Sequence, residues 1–156
     1  MLRTFAAALI ALAPATAVTA QTAVAPAVDF NTARVLPGSW GYQSTAAGSM
    51  ARFVDTTGTA RLVLECTRAT RRVSVSLTSS APAASLSLWT SIASRNLPAR
   101  FEANAMRVTA ELPAYDPLLD AIAFSRGRIA VTMPGGVPLV VPAWPEAART
   151  VEDCRI

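Results

Sequence analysis

Apolar and polar residues alternate with a period of two over most of the chain after Gly38, the pattern of strands with one buried and one solvated face. Residues 50–55 and 59–66 flank the short polar turn Thr56-Thr57-Gly58. The second run sets Leu62, Leu64 and Cys66 against Arg61, Val63 and Glu65. Residues 71–78 place Val73, Val75 and Leu77 on one side and Arg72, Ser74, Ser76 and Thr78 on the other. Residues 85–92 continue with Leu86, Leu88 and Ile92 inward against Ser85, Ser87, Trp89 and Ser91. A break is expected around Arg95-Asn96-Leu97-Pro98, after which residues 106–112 set Met106, Val108, Ala110 and Leu112 against Arg107, Thr109 and Glu111. A further hairpin, residues 128–133 and 137–141, turns at Pro134-Gly135-Gly136.

Two short helices interrupt the strands. Asp116-Pro117 combines a capping carboxylate with a proline suited to the first helical turn, and the helix is expected to run to residue 125 or 126 and stop at Gly127. Pro145-Glu146 opens a second helix through Val151, ending at Cys154. The fold class is therefore α+β, mainly β: an antiparallel sandwich or curved sheet with two short helices.

The N-terminus follows another logic. Arg3, an apolar core over residues 5–13 and Val18-Thr19-Ala20 form the three parts of an export signal, so residues 1–20 are expected to be a cleaved signal peptide. The apolar core falls short of the ~20 residues that span a bilayer, and no integral membrane segment is expected after processing. Residues 21–37, rich in Ala, Thr, Val and Pro, read as an extended lead-in, and residues 38–156 as one β-rich domain. A periplasmic or secreted location makes Cys66 and Cys154, the two cysteines, a disulfide pair.

Composition narrows the chemistry. All 14 basic residues are arginine, against 10 acids, giving a net charge of +4. The arginines are scattered apart from Arg68, Arg71 and Arg72, so nucleic acid is not an expected partner. Without histidine or lysine, the chain cannot form a Ser-His-Asp triad, a histidine-bound metal site or a Schiff base, and no cofactor or metal is expected. Carboxylate chemistry remains. Asp55-Thr56-Thr57-Gly58 is similar to the Asp-Thr-Gly of aspartic proteases with one extra threonine, and reads as a hairpin turn. Asp116 and Asp120, with Glu111 or Glu146, have the makings of a glycosidase pair, yet each aspartate is accounted for as a cap or first-turn charge. No catalytic residue is assigned.

Three residues stand out for binding. Trp89 is the large apolar side chain on the polar phase of its strand, suited to anchoring a partner or stacking on a sugar. Arg126 and Arg128 flank Gly127 and have the spacing to hold an anion between them. The expected function is an exported, non-enzymatic binding or envelope-associated module whose partner is an envelope protein or glycan. The alternatives are an inhibitor of a periplasmic or extracellular enzyme and a carboxylate-dependent hydrolase.

The segment from Asp116 to Arg128, with Pro142-Ala143-Trp144-Pro145-Glu146 and Glu152-Asp153-Cys154-Arg155, resembles a set of small exported proteobacterial proteins of unassigned function. In its layout, a short helix followed by a glycine and a strand, the chain is also similar to the invasion-associated locus B family. The first resemblance implies no activity, and the second implies a small exported protein of β-rich fold.

Mass spectrometry of protein recovered from the exporting compartment is expected to show a mature N-terminus at or within a few residues of Gln21. An intact Met1 there would contradict the export reading.

Overall fold

The computed structural model describes residues 28–156; the expected signal peptide lies outside them. Ten strands and two α-helices follow in order. β1 (Gly38–Thr45), β2 (Gly48–Asp55), β3 (Ala60–Thr67) and β4 (Arg72–Thr78) form an antiparallel meander. After β5 (Ser85–Thr90), β6 (Ser94–Pro98) and β7 (Arg100–Glu102), β8 (Arg107–Pro113) returns to pair with β4. Then come α1 (Pro117–Ala123), β9 (Arg128–Thr132), β10 (Leu139–Pro142) and α2 (Pro145–Asp153). The result is a six-stranded sheet, β1-β2-β3-β4-β8-β7, and a four-stranded sheet, β10-β9-β5-β6.

The register turns the alternation in the sequence into straight buried rows, apolar apart from Ser49. Across the six-stranded sheet, Trp40, Phe53, Leu62, Leu77 and Val108 lie side by side; the next row inward holds Ala51, Leu64, Val75 and Ala110, and the next Ser49, Cys66, Val73 and Leu112. The four-stranded sheet answers with Leu86, Leu88, Leu97, Ile129, Val131, Leu139 and Val141 in the same buried cluster. Leaving any one of the Val, Leu, Ile or Phe side chains among them in water costs about 1.5–3 kcal/mol, which is what fixes the register.

The strands of the first sheet run to eight residues and those of the second to no more than six, so part of the larger apolar face needs another cover. The helices provide it. In α2, Ala147, Thr150, Val151 and Cys154 recur at helical spacing on one buried stripe that packs on β1, β2 and β3. In α1, Leu118, Leu119, Ala121 and Ile122 are buried, and the two helices pack on each other. The Cys66–Cys154 disulfide, with Cα atoms 5.4 Å apart, bonds the end of α2 to the third apolar row. Gly48 lies against this bridge: a Cβ there would overlap the Cys66 carbonyl oxygen and come within 3.2 Å of its Sγ. Arg155 locks the same end, donating from Nε to the Ala114 carbonyl at 2.9 Å.

Four expectations need correction. The segment expected to break at residues 95–98 is strand β6; as an edge strand it buries Leu97 alone, too little to leave a period of two. Ile92, expected inward, lies beyond the end of β5 in the turn to β6 and is 67% exposed. Met106, also expected inward, adopts a left-handed conformation (φ 51°) closing the short 3-10 turn Ala103–Ala105, and stays exposed. The first helix ends at Ala123, short of residues 125 and 126, because the Ser125 hydroxyl turns to the Arg128 carbonyl at 2.8 Å and to Ser91.

Closing a loop of 88 residues is worth about 4–5 kcal/mol in the chain-entropy model, so Cys154→Ser is expected to lose about that much stability in urea unfolding. Wild-type protein unfolded with a reductant should converge on the variant's curve, and unchanged midpoints would contradict the structural role.

Candidate functional site

Trp89 projects from β5 onto the outer face of the four-stranded sheet, opposite Ala130 of β9 and Ser94 of β6. Neither a helix nor the other sheet covers it. It meets the lead-in: the Phe30 ring stands 5.4 Å away, centroid to centroid, tilted by 49°. Asp29 organises this part of the lead-in as a turn, accepting from the Asn31 amide at 3.0 Å through its carboxylate and from the Ala33 amide at 3.0 Å through its carbonyl. The Asn31 backbone amide, followed by the Asn31 side chain and the Thr32 hydroxyl, holds the exposed Asp29 carboxyl below the usual range.

Arg128 fastens the turn to the sheet, donating from Nε to the Ala33 carbonyl at 2.9 Å and from Nη1 to the Asn31 carbonyl at 2.5 Å. Further along, the Leu36 amide donates to the Val140 carbonyl at 2.8 Å. Residues 28–37 are therefore a strap across the second sheet.

Between strap and sheet lies a groove of about 320 Å³. Phe30, Trp89 and Ala130 supply its apolar surface, and Ser87, Ser94, Arg95, Asn96 and Thr132 its polar rim. The rim is partly tied together: the Ser87 hydroxyl donates to Asn96 Oδ1 at 3.1 Å, and Arg95 pairs with Asp116 at 2.6 Å. Phe30, Arg95 and Asn96 were not legible as site residues. A single aromatic in an Ala/Thr/Val/Pro stretch, next to an Asp-x-Asn-Thr turn signal, is the one mark the sequence carried for Phe30.

The two arginines flanking Gly127 separate. Arg128 spends its donors on the strap, whereas Arg126 is exposed, and its backbone amide donates to the Ser91 hydroxyl at 3.0 Å. Arg68, Arg71 and Arg72 diverge as well: Arg68 reaches the Asp153 carbonyl, Arg72 pairs with Glu111, and Arg71 is exposed in a left-handed turn position.

The candidate acids are each engaged by local partners. Asp116 caps α1 through the Leu118 amide at 2.8 Å and pairs with Arg95. Asp120 pairs with Arg155 at 2.7 Å, so the two carboxylates turn to different partners. Asp55 closes its hairpin by accepting from the Thr57 and Thr59 amides at 2.9 and 3.1 Å, with Gly58 at φ 83° completing the turn. The Thr57 hydroxyl, first among those donors, pulls the Asp55 carboxyl below its usual range.

A second concavity, about 400 Å³, lies on the outer face of the six-stranded sheet. Its floor includes Ser76 and Thr109, hydroxyl to hydroxyl at 2.9 Å and both buried. Glu111 on its wall is bound by Arg100 at 2.7 Å and Arg72 at 3.1 Å. The Arg100 hydrogen bond is the main reason that its carboxyl lies below the ordinary range, the opposite of what a proton donor at neutral pH requires. Among the described residues no group of three or more His, Cys, Asp or Glu side chains is placed to hold a metal ion.

No family model, curated protein or solved structure matches the chain, so the site stands on its own geometry.

Asp55, Glu111 and Asp29 all have folded-state pKa values lowered from their ordinary ones. Such groups stabilise the fold above the unfolded carboxylate pKa of about 4 and lose that contribution as pH falls through it toward the folded value. The thermal midpoint is expected to drop between about pH 5 and about pH 3. Glu111→Gln should flatten that acid limb in circular-dichroism melts, and parallel wild-type and variant profiles would contradict it.

Proposed function

We propose that the chain is an exported, non-enzymatic binding module of the cell envelope that takes a glycan in the groove between Phe30 and Trp89. One observation carries this reading: a half-buried tryptophan on the polar phase of a strand, left uncovered by helix or sheet, with a second aromatic tilted against it and a rim of hydroxyl, amide and guanidinium groups. Aromatic faces accept the C–H surface of a sugar ring, while Ser, Asn, Thr and Arg side chains meet its hydroxyls. The Cys66–Cys154 bond supports maturation in an oxidising compartment. Among the described residues no helix is long and apolar enough to cross a membrane.

The partners of the acids speak against the hydrolase alternative. Asp116, Asp120, Asp55 and Glu111 are each held by a cap, a turn or an arginine, and where a shift is resolved among them it is downward. A glycosidase needs one carboxyl raised and proton-loaded.

Trp89→Ala is expected to weaken co-sedimentation with insoluble peptidoglycan by about tenfold or more, a loss of roughly 1.4 kcal/mol or more. Phe30→Ala should weaken it less. Neither variant should lower stability by more than about 2 kcal/mol, because both rings are only partly buried. Undiminished sedimentation of Trp89→Ala would sink the proposal, as would glycan hydrolysis abolished by Asp120→Asn.

A further inference from the structure

One end of the four-stranded sheet gathers three connections: the β5–β6 turn, the loop from α1 to β9 and the link from β10 to α2. They meet there because β5 and β10 end where β6 and β9 begin. Hydrogen bonds knit them into one platform. The Ser91 amide donates to the Ser125 hydroxyl at 3.2 Å, and the Arg126 amide to the Ser91 hydroxyl at 3.0 Å. The Ala143 amide donates to the Gly127 carbonyl at 3.2 Å.

From this platform three large apolar side chains stand in solvent: Ile92 at 67% exposure, Phe124 at 68% and Trp144 at 43%. Turn and cap positions ordinarily carry small polar residues. Trp144 occupies the N-cap of α2 without making a side-chain cap bond, at a place where serine or aspartate would stabilise the helix. The apolar choice thus forgoes local stability at that position. Charge is equally one-sided. Arg126 is exposed and has no acidic partner within ion-pair distance among the described residues, and residues 91–93, 124–127 and 143–144 include no acid.

We propose that this end of the protein docks on an anionic phospholipid surface, with Ile92, Phe124 and Trp144 entering the headgroup region and Arg126 binding lipid phosphate. Aromatic side chains favour the boundary between headgroups and acyl chains, and an aliphatic neighbour adds buried area. Arginine matches the phosphate oxygens with a planar pair of donors, and an anionic surface attracts a chain whose net charge of +4 falls only to +3 when Arg3 leaves with the expected signal peptide. The platform is held by backbone and serine hydrogen bonds, so the wedge is preorganised and little conformational order is lost on docking. The contact is peripheral: three side chains and one charge give reversible adhesion, as expected of a marginal anchor. It uses loop residues apart from the Phe30–Trp89 groove, so glycan and lipid binding are separable.

The test is flotation of the mature protein with vesicles of equal parts phosphatidylglycerol and phosphatidylcholine, compared with phosphatidylcholine alone. Wild type is expected to float with the anionic vesicles, and less so as salt is raised. The triple variant Ile92→Ser/Phe124→Ser/Trp144→Ser and the single variant Arg126→Glu should each reduce the bound fraction about tenfold or more. Serine at residue 144 adds a cap, so the triple variant should keep the wild-type melting profile and its loss of flotation cannot be laid to misfolding. Trp89→Ala should float like wild type, and the triple variant should still sediment with peptidoglycan. The proposal is overturned by absence of flotation, by equal flotation with both vesicle types, or by undiminished flotation of either variant.

Discussion

The larger sheet has more apolar surface than the smaller sheet can cover, and the rest of the molecule is arranged around that mismatch. Rows running from Trp40 to Val108 and from Cys66 to Leu112 must all leave water, yet β9 and β10 are only five and four residues long. Two helices fill the remainder. α2 has nine residues, too few to be stable alone, so its position depends on tertiary bonds. The Cys66–Cys154 bridge supplies one of these. The Tyr42 hydroxyl, donating to Asp153 Oδ2 at 2.5 Å, and Arg149 stacked 4.1 Å from the Tyr42 centroid supply others. Burial alone would push the Asp153 carboxyl upward, but donation from the Tyr42 hydroxyl and the charges of Arg149 and Arg68 outweigh it, so the group lies below its ordinary value.

Legibility followed burial. β3, β4 and β8 are central strands with one solvated face, and their alternation survives in the sequence because each inward position is individually costly to change. β6 was unreadable for the opposite reason: an edge strand with one buried residue imposes no pattern. Ile92 and Met106 misled because period two was extended past the ends of the strands. The chain there turns, and side-chain direction no longer follows parity. Val63 lies on the outer face as the alternation predicts, yet it is only 1% exposed, set in one row between Arg52 of β2 and Ser76 of β4.

The candidate site was half legible. Trp89 announced itself by breaking the phase of Ser85, Ser87 and Ser91, a local signal. Its partner Phe30 lies 59 positions earlier in a segment with no periodicity, and nothing local reports that residues 28–37 fold back across β9 and β10. Arg128 is the clearest case of a residue whose role depends on distant chain. Beside Gly127 it resembled half of an anion clamp, and in the fold its guanidinium binds two backbone carbonyls of the strap.

That use of arginine recurs and explains why a chain without lysine holds together segments that lack regular structure. Arg128 ties the strap, Arg155 binds the Ala114 carbonyl and Asp120, and Arg68 reaches the Asp153 carbonyl. A planar guanidinium with five donors can satisfy a backbone oxygen and a second acceptor at once, which a lysine ammonium does with poorer geometry and a larger desolvation cost. The arginines thereby replace backbone ladders where the chain has none, at the strap and at the C-terminus. Arg126 makes no such tie; its guanidinium remains in solvent on a platform whose other projecting side chains are apolar. The contrast with Arg128, two residues away on the same stretch of chain, separates a charge used to build the fold from one left for an external acceptor.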